Sequence, residues 1–228
     1  MRIIKGNIFN SKAQTIVNTV NCFGIMGKGI ALVYKLRYPK MFDLYKCHCK
    51  SKDIRIGKLW LYKGQENAPW VLNFPTKYHW KYPSKIEYLQ KGLAEFYSTY
   101  KAQGITSIAF PLLGTLNGGL DKNVVLDLME EYLGKCDIDI EIYEYDPDTE
   151  DDLYEKLAYN WSNLSHEEIK FKTGIKEDKI EIIAEIIASG NVKSLIGLFN
   201  EKGIGFRTIE KCFAFVMNKV NKQSTLFD

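Results

Sequence analysis

Hydrophobic residues recur along the first two thirds of the chain with two different periods. Short β-branched and aromatic runs predict buried strands, and longer segments with apolar residues three or four positions apart predict helices. The predicted strands are Arg2–Lys5, Ala13–Val20, Lys58–Tyr62, Trp70–Phe74, Ser107–Phe110 and Ile138–Tyr143. The predicted helices between them are Ile30–Tyr38, Met41–Cys49, Ser84 to about Ala102, and Asp121–Leu133. Strands that alternate with helices predict an α/β fold whose mainly buried sheet carries helices on both faces.

Two local signals lie before the third of these helices. Ser84 and Glu87 have the spacing of a capping box, which predicts a helix start at Ser84. The preceding residues, 76–83, are polar and aromatic and are predicted to form a loop between a strand and that helix.

An acidic segment at residues 146–152 predicts a domain boundary. Beyond it, three amphipathic helices are predicted at Glu177–Ser189, Val192–Phe199 and Phe206–Val220. The predicted organisation is an α/β domain at 1–148, a helical region of unknown role at 149–222, and a flexible tail at 223–228. Gln223–Phe227 in that tail resembles a sliding-clamp-binding peptide, a pattern short enough to arise by chance.

The composition is that of a globular protein able to bury a core, and no apolar run approaches the ~20 residues of a membrane span. The N-terminus reads as an immediate strand and lacks the apolar core of a signal peptide, so a cytoplasmic protein is predicted. Five scattered cysteines favour reduced thiols over disulfides. Cys47-His48-Cys49 has no second pair of ligands nearby, so no metal is predicted.

The net charge of +3 conceals an uneven distribution. Residues 1–63 carry 13 Lys and Arg against 2 Asp and Glu, whereas residues 64–150 carry 7 against 14. The basic residues between Lys35 and Lys58 could attract a polyanion through its phosphates. They could equally be solvated helix faces that the acidic middle of the chain balances, and the sequence leaves both interpretations open.

The segment from Asn18 to Ala31 joins a strand to a helix through three glycines, an order that aims backbone N–H groups at an anion. Its two asparagines can recognise neutral hydroxyls, so a phosphate next to a sugar is predicted. A second glycine-rich loop, Pro111–Gly119, also follows a strand. Two glycine-rich loops whose backbone N–H groups point at one edge of the sheet fit a diphosphate flanked by two sugars. Neither loop has the Walker lysine or the Gly-x-Gly-x-x-Gly pattern.

Three separated motifs lie on the predicted strands and the loops that follow them. They are Asn18-x-x-Asn21-x-x-Gly24-x-Met26-Gly27-Lys28-Gly29-Ile30-Ala31, Phe74-Pro-Thr-Lys77-x-His79-Trp80, and Pro111-x-x-Gly114…Gly118-Gly-Leu-Asp121. Together they resemble the motifs of a macrodomain, most closely the branch of the DNA ADP-ribosyl glycohydrolase antitoxin DarG and the terminal ADP-ribose glycohydrolase. The resemblance covers roughly residues 1–145. It implies a three-layer α/β/α mixed sheet that binds ADP-ribose.

The resemblance also implies roles for individual residues. Lys77 would attack the anomeric carbon of the distal ribose, and Asp121 would act as general acid/base or orient the ribose, although an Asp there also reads as a helix N-cap. Ile8 would border the adenine, where many macrodomains have an Asp at the position of Asn7, and Asn21 would bind the distal ribose. The implied ligand-binding residues are Asn7, Ile8, Asn21, Gly27, Lys28, Gly29, Ile30, Thr76, Gly114, Thr115, Leu116, Asn117 and Gly118.

The resemblance implies a hydrolase, without a cofactor, that removes ADP-ribose from DNA bases and is the antitoxin of a DNA ADP-ribosyltransferase toxin. Tyr78, Trp80 and Tyr82 could stack on bases, which favours ADP-ribosylated single-stranded DNA as the substrate. Two alternatives remain: a phosphatase of ADP-ribose 1″-phosphate, and a non-catalytic ADP-ribose-binding module. The lysine at the exit of a strand argues against a pure binding module.

Overall fold

The computed structural model describes residues 1–64 and 68–217, which form two compact units divided between Tyr145 and Asp146. No helix in those two ranges is both long and apolar enough to cross a membrane. The strands are β1 (Arg2–Gly6), β2 (Thr15–Asn21), β3 (Trp60–Tyr62), β4 (Trp70–Lys77), β5 (Ser107–Pro111) and β6 (Asp139–Tyr145). The helices of the first unit are α1 (Gly29–Arg37), α2 (Pro39–Lys50), α3 (Ile86–Gln103) and α4 (Lys122–Leu133).

The six strands form one mixed sheet in the order β1-β6-β5-β2-β4-β3, in which β3 alone runs antiparallel to its neighbour. Alternate residues of the strands feed two hydrophobic cores, as the two-residue period of a strand requires. Val17 and Leu72 pack on the side of α3 and α4, whereas Ile16 and Val71 pack on the side of α1 and α2. The predicted buried sheet with helices on both faces is confirmed.

The carboxyl ends of β1, β2, β4 and β5 lie at one edge of the sheet because these strands are parallel within it. β2 lies between β5 and β4, so the segments that follow these three strands are neighbours. Ligands of open α/β sheets bind at this edge.

The prediction that residues 76–83 are all loop is wrong at its start, since Thr76 and Lys77 belong to β4. β4 stays paired with β2 to its end, where Lys77 lies opposite Asn21. Pro75 is tolerated within the strand because β3 pairs only with residues 71–73, so β4 has a single strand neighbour at Pro75.

The predicted capping box at Ser84 and Glu87 is also wrong. The N-cap of α3 is Lys85, whose side chain makes no capping hydrogen bond. Ser84 is buried, and its backbone N–H donates to the carbonyl oxygen of Gly118 at 2.9 Å. A contact with a distant loop therefore overrides the local capping signal.

The C-terminal unit is helical, as predicted, and its described part ends at residue 217. Its helices are α5 (Asp152–Asn163), α6 (His166–Thr173), α7 (Glu177–Ser189), α8 (Leu195–Asn200) and α9 (Phe206–Val216). The sequence prediction missed α5 and α6 and began α8 at Val192. Trp161 anchors the unit by donating its indole N–H to the carbonyl oxygen of Ile180 at 3.2 Å. The predicted end of α9 at Val220, the tail 223–228 and its clamp-binding pattern lie outside the described residues.

Candidate functional site

The first glycine loop, residues 22–28, is held in shape by the side chain of Asn21. The Asn21 Oδ1 accepts from the N–H of Phe23 at 2.9 Å and of Ile25 at 3.4 Å, and its Nδ2 donates to the Ile25 carbonyl at 2.6 Å. Asn21 thus does in this loop what a capping residue does for a helix. The Asn21 side-chain amide could hydrogen-bond a ribose only in addition to these hydrogen bonds within the loop, or by giving one of them up.

A buried tyrosine supports the loop from below. The Tyr45 hydroxyl on α2 donates to the carbonyl oxygen of Asn21 at 2.5 Å. Burial raises the pKa of the neighbouring Cys22 thiol to about 11 and also raises the pKa of the Cys49 thiol. Both thiols are therefore protonated at neutral pH and are not nucleophiles. Nothing in the sequence pattern pointed to this supporting role of Tyr45.

The first glycine loop leads into α1, whose N-cap residue makes no side-chain capping hydrogen bond. This N-cap residue, Lys28, is exposed. The first turn contains no acidic residue. Gly29 starts the helix with a φ of +55°, a conformation that glycine adopts without steric cost. Unfilled N–H groups and the helix dipole at such an end favour a phosphate group.

The second glycine loop, residues 112–120, folds back on itself. The N–H of Gly119 donates to Thr115 O at 3.0 Å, and that of Leu120 donates to Gly114 O at 3.1 Å. A Cβ on Gly118 would lie 2.1 Å from the Gly114 oxygen and 2.4 Å from Ser84 Oγ. Only glycine fits at position 118, and Ser84, a residue that sequence reasoning assigned to a helix cap, fills the space beneath it.

The two glycine loops meet through Asn117. A Cβ on Gly29 would approach the Asn117 Nδ2 to 2.5 Å, so the start of α1 lies against this side chain. The main-chain oxygen of the same Asn117 accepts a hydrogen bond of 2.5 Å from Lys77 Nζ. Asn117 therefore connects the helix N-terminus with the amine at the end of β4.

Lys77 is half-buried, and burial lowers the pKa of its amine below the usual lysine value. A lowered pKa increases the fraction of neutral amine, the form that can act as a nucleophile. A neutral amine can still donate one hydrogen to Asn117 O while its lone pair points elsewhere. The carbonyl can therefore orient the amine without blocking it.

Asp121 is the N-cap of α4, the structural role that its sequence context indicated. Its Oδ1 accepts from the N–H groups of Asn123 at 2.9 Å and Val124 at 3.1 Å. The Asp121 side chain is exposed. Asp121 lies four residues after Asn117, directly beyond the second glycine loop.

The remaining predicted site residues differ in their surroundings. Asn7 caps a short 3-10 helix by accepting from the Phe9 N–H at 3.1 Å, and Ile8 is buried in the core on the α1 side of the sheet. Thr76 is buried within β4, whereas Leu116 is among the most exposed apolar side chains. Asn18 is not exposed to a ligand: it is fully buried and donates through Nδ2 to Asn73 Oδ1 at 3.0 Å.

Among the described residues, the one group of side chains that could ligate a metal belongs to the C-terminal unit. His166, Glu177 and Glu181 of the C-terminal unit bring ligand atoms within 4.8 Å of one another. Lys170 Nζ lies 3.7 Å from Glu177 Oε2 and would compete with a cation for that carboxylate. The His48 ring of the Cys-His-Cys segment instead contacts Asp53 Oδ2 at 3.1 Å.

Comparison with known proteins shows what the chain is similar to. The Macro domain family model matches residues 17–129. A DNA ADP-ribosyl glycohydrolase of Mycobacterium tuberculosis is 43% identical over 141 residues, and a DNA ADP-ribosyl transferase-DNA ADP-ribosyl glycohydrolase fusion protein of Thermosipho africanus is 36% identical over 160 residues. These alignments cover 60% and 63% of this chain.

Solved structures agree. The macrodomain of Thermus aquaticus DarG matches with a TM-score of 0.60 and 35% identity, covering 63% of this chain and 97% of that one. The structure of Thermosipho africanus DarTG in complex with ADP-ribose matches with a TM-score of 0.60 and 36% identity, covering 64% of this chain and 42% of that one. The chain spans only about 40% of the length of the curated relatives that it matches.

Proposed function

The chain belongs to the macrodomain family, and on that premise we propose that it is a hydrolase that removes ADP-ribose from ADP-ribosylated DNA bases. Relatives named DNA ADP-ribosyl glycohydrolase support the reaction. The observation that carries the proposal is the half-buried Lys77 amine, with its lowered pKa, bonded to the second glycine loop. A binding module has no need of a nucleophile at this position.

The two glycine loops would hold the diphosphate of ADP-ribose from opposite sides. Gly27, Lys28, Gly29 and Ile30 would supply the N–H groups of the α1 N-terminus, and residues 114–118 would supply those of the second loop. The contact between Gly29 and Asn117 would have to widen when the ligand enters. Asn7, Ile8, Asn21 and Thr76 would complete the walls for the adenosine and the distal ribose.

The chemical step starts with the neutral amine of Lys77. Its lone pair forms a bond to the anomeric carbon of the distal ribose while the bond from that carbon to the DNA base breaks. The electron pair of the broken bond leaves with the base, which takes up the proton that the alkylated, positively charged Lys77 nitrogen gives up. Water then attacks the same carbon while the bond from that carbon to the Lys77 nitrogen breaks. The hydroxyl of the water stays on the ribose, and its proton goes to the released amine. The net reaction is ADP-ribosyl-DNA plus water to ADP-ribose plus DNA.

Asp121 would assist by orienting the ribose hydroxyls or by transferring the proton to the leaving base. Its position as N-cap of α4 fixes the carboxylate through Oδ1. A general acid must be held in a fixed orientation toward the group that it protonates.

The test is product analysis with ADP-ribosylated single-stranded DNA. The proposal predicts free ADP-ribose and unmodified DNA as products. Release of phosphate from ADP-ribose 1″-phosphate, without action on the DNA adduct, would instead identify the phosphatase alternative. Binding of ADP-ribose without turnover of either substrate would identify a binding module.

The fusion protein of Thermosipho africanus supports a functional pairing with a DNA ADP-ribosyltransferase, for which this chain would be the antitoxin acting in the cytoplasm. We propose that residues 1–148 carry out the reaction and that the C-terminal region, residues 149–222, contacts the toxin. Co-purification of the toxin with the full chain, but not with residues 1–148, would support this division. Equal recovery with both would refute it.

A further inference from the structure

The surface beyond Lys77 carries a group of aromatic rings arranged around His79. The centroid of the Phe23 ring lies 4.3 Å from that of His79, and those of Tyr82 and Trp80 lie at 5.3 and 5.6 Å. The Tyr78 ring joins the group through Phe23 at 6.0 Å. We call these five rings the aromatic platform.

Most of the platform faces solvent although its members are large. Phe23, Tyr78, Trp80 and Tyr82 are 53%, 58%, 47% and 64% exposed. Only His79 is half-buried, and its Nδ1 accepts from the Lys81 N–H at 3.2 Å. Single exposed apolar side chains also occur elsewhere on the protein, but several exposed rings gathered in one place mark a binding surface.

The platform is tied to the reactive end of the proposed site. Tyr78 directly follows Lys77, and its carbonyl oxygen accepts from the Cys22 N–H at 3.1 Å. The first glycine loop and the segment after β4 are thereby fixed to each other. In the proposed reaction the group that leaves the ribose departs at Lys77, and the platform begins at the next residue along the chain.

The surroundings are basic. Residues 1–42 and 68–86, which supply the whole platform, contain no Asp or Glu. Lys81 Nζ lies 5.1 Å from the centroid of the Trp80 ring. Lys46 on α2 lies against Gly24, next to Phe23, and is ion-paired with Asp43 at 2.9 Å. Rings interleaved with lysines match the alternation of bases and phosphates in a nucleic acid strand.

We propose that the aromatic platform is the surface that stacks the unpaired DNA bases flanking the modified nucleotide. This inference rests on the proposed function for the identity of the leaving group. A duplex cannot use the platform because base pairing and stacking cover the ring faces of its bases. The rings hold neighbouring bases, and Lys81 attracts their phosphates.

The test measures affinity for DNA that carries no ADP-ribose. A fluorescein-labelled single strand of about 12 nucleotides, a length within the range that single-strand binding sites cover, is titrated with the full chain by fluorescence anisotropy. Trp80→Ala is expected to weaken binding roughly 5- to 100-fold, the loss of one stacked base, and Trp80→Phe is expected to restore most of it. Tyr97→Ala removes an equally exposed ring from α3 and is expected to leave the affinity unchanged.

Three outcomes would overturn the inference. They are equal affinity for the same sequence as a duplex hairpin, equal or tighter binding of the matching RNA, and wild-type DNA affinity in Trp80→Ala. Calorimetry with ADP-ribose reports whether Trp80→Ala is folded: a loss of ADP-ribose affinity as large as the loss of DNA affinity would also refute the stacking role. Because the probe has no ADP-ribose, failure of the hydrolase proposal would leave this measurement intact, and the reverse also holds.

Discussion

The amine of Lys77 and the main-chain oxygen of Asn117 lie 2.5 Å apart, which joins the end of β4 to the second glycine loop. Asn117 also reaches the start of α1, because its Nδ2 occupies the space where a Cβ on Gly29 would be. The N-terminus of α1 and the amine of Lys77 are thus both in contact with a single residue. Changes that disturb the second glycine loop should therefore affect ligand binding and chemistry together.

Gly118→Ala should destabilise the protein and abolish ADP-ribose binding. Its Cβ would lie 2.1 Å from the Gly114 oxygen, a backbone atom that cannot move without unfolding the turn. A clash of this kind costs about 2 kcal/mol or more, which corresponds to a fall in Tm of about 4–8 °C. Thermal denaturation and calorimetry measure both effects.

Gly27→Ala is the matched control for stability, since its Cβ would meet only Ile25 Cγ2 at an ordinary 3.8 Å. Its Tm should stay close to that of the wild type. A Gly118→Ala protein with unchanged Tm and ADP-ribose affinity would show that the second glycine loop is not built as described.

Asp121→Asn separates the two roles of Asp121. An asparagine keeps an Oδ1 that can accept from Asn123 and Val124, so the helix cap and the stability should be retained. It removes the carboxylate, so turnover of ADP-ribosylated DNA should fall by about 10²-fold or more. Asp121→Ala should in addition lower the stability by about 1 kcal/mol through loss of the cap.

Steady-state kinetics and denaturant unfolding of both variants check this prediction. Full activity in Asp121→Asn would mean that Asp121 only caps α4. Equal losses of stability in the two variants would mean that the asparagine does not reproduce the cap.

The rate of the chemical step should rise with pH. Only the neutral amine of Lys77 attacks, and burial lowers its pKa, so the neutral fraction grows about tenfold per pH unit until the pH reaches that lowered pKa. The rate should then level off at a pH below the usual lysine pKa. Single-turnover release of ADP-ribose, measured from mildly acidic to alkaline pH, gives this profile. A rate that is flat over the whole range, or that falls as the pH rises, would exclude a lysine nucleophile.

The sequence was informative where a feature depends on neighbouring residues. The strand, glycine loop and helix from Thr15 to Arg37 follow one another along the chain, so periodicity and glycine spacing predicted them nearly in full. Asp121 before an apolar helix predicted an N-cap, and the structure has one. The fold class follows from the same alternation of strands and helices.

The contacts that assemble the site could not be predicted from local patterns. Lys77 meets Asn117 because β4 and β5 lie on either side of β2, which brings the segments that follow them to the same edge of the sheet. The order of strands in a sheet is set by tertiary contacts and not by neighbouring residues. For the same reason Ser84 supports Gly118 and does not cap α3, and Tyr45 reaches Asn21 from another helix. Asn18 belongs to the first motif, where an asparagine could contact a ligand, but its side chain is buried in the sheet and donates a hydrogen bond to Asn73.

The most direct test of the account is the release of ADP-ribose from ADP-ribosylated single-stranded DNA by the wild type and by Lys77→Ala, with Lys91→Ala, which removes an exposed lysine of α3, as the control. The wild type and Lys91→Ala should release free ADP-ribose and unmodified DNA. Lys77→Ala should release none while still binding ADP-ribose by calorimetry, because the substitution leaves the internal hydrogen bonds of the second glycine loop, from Gly119 to Thr115 and from Leu120 to Gly114, in place. Release by Lys77→Ala at the wild-type rate would contradict the lysine mechanism and the central claim with it.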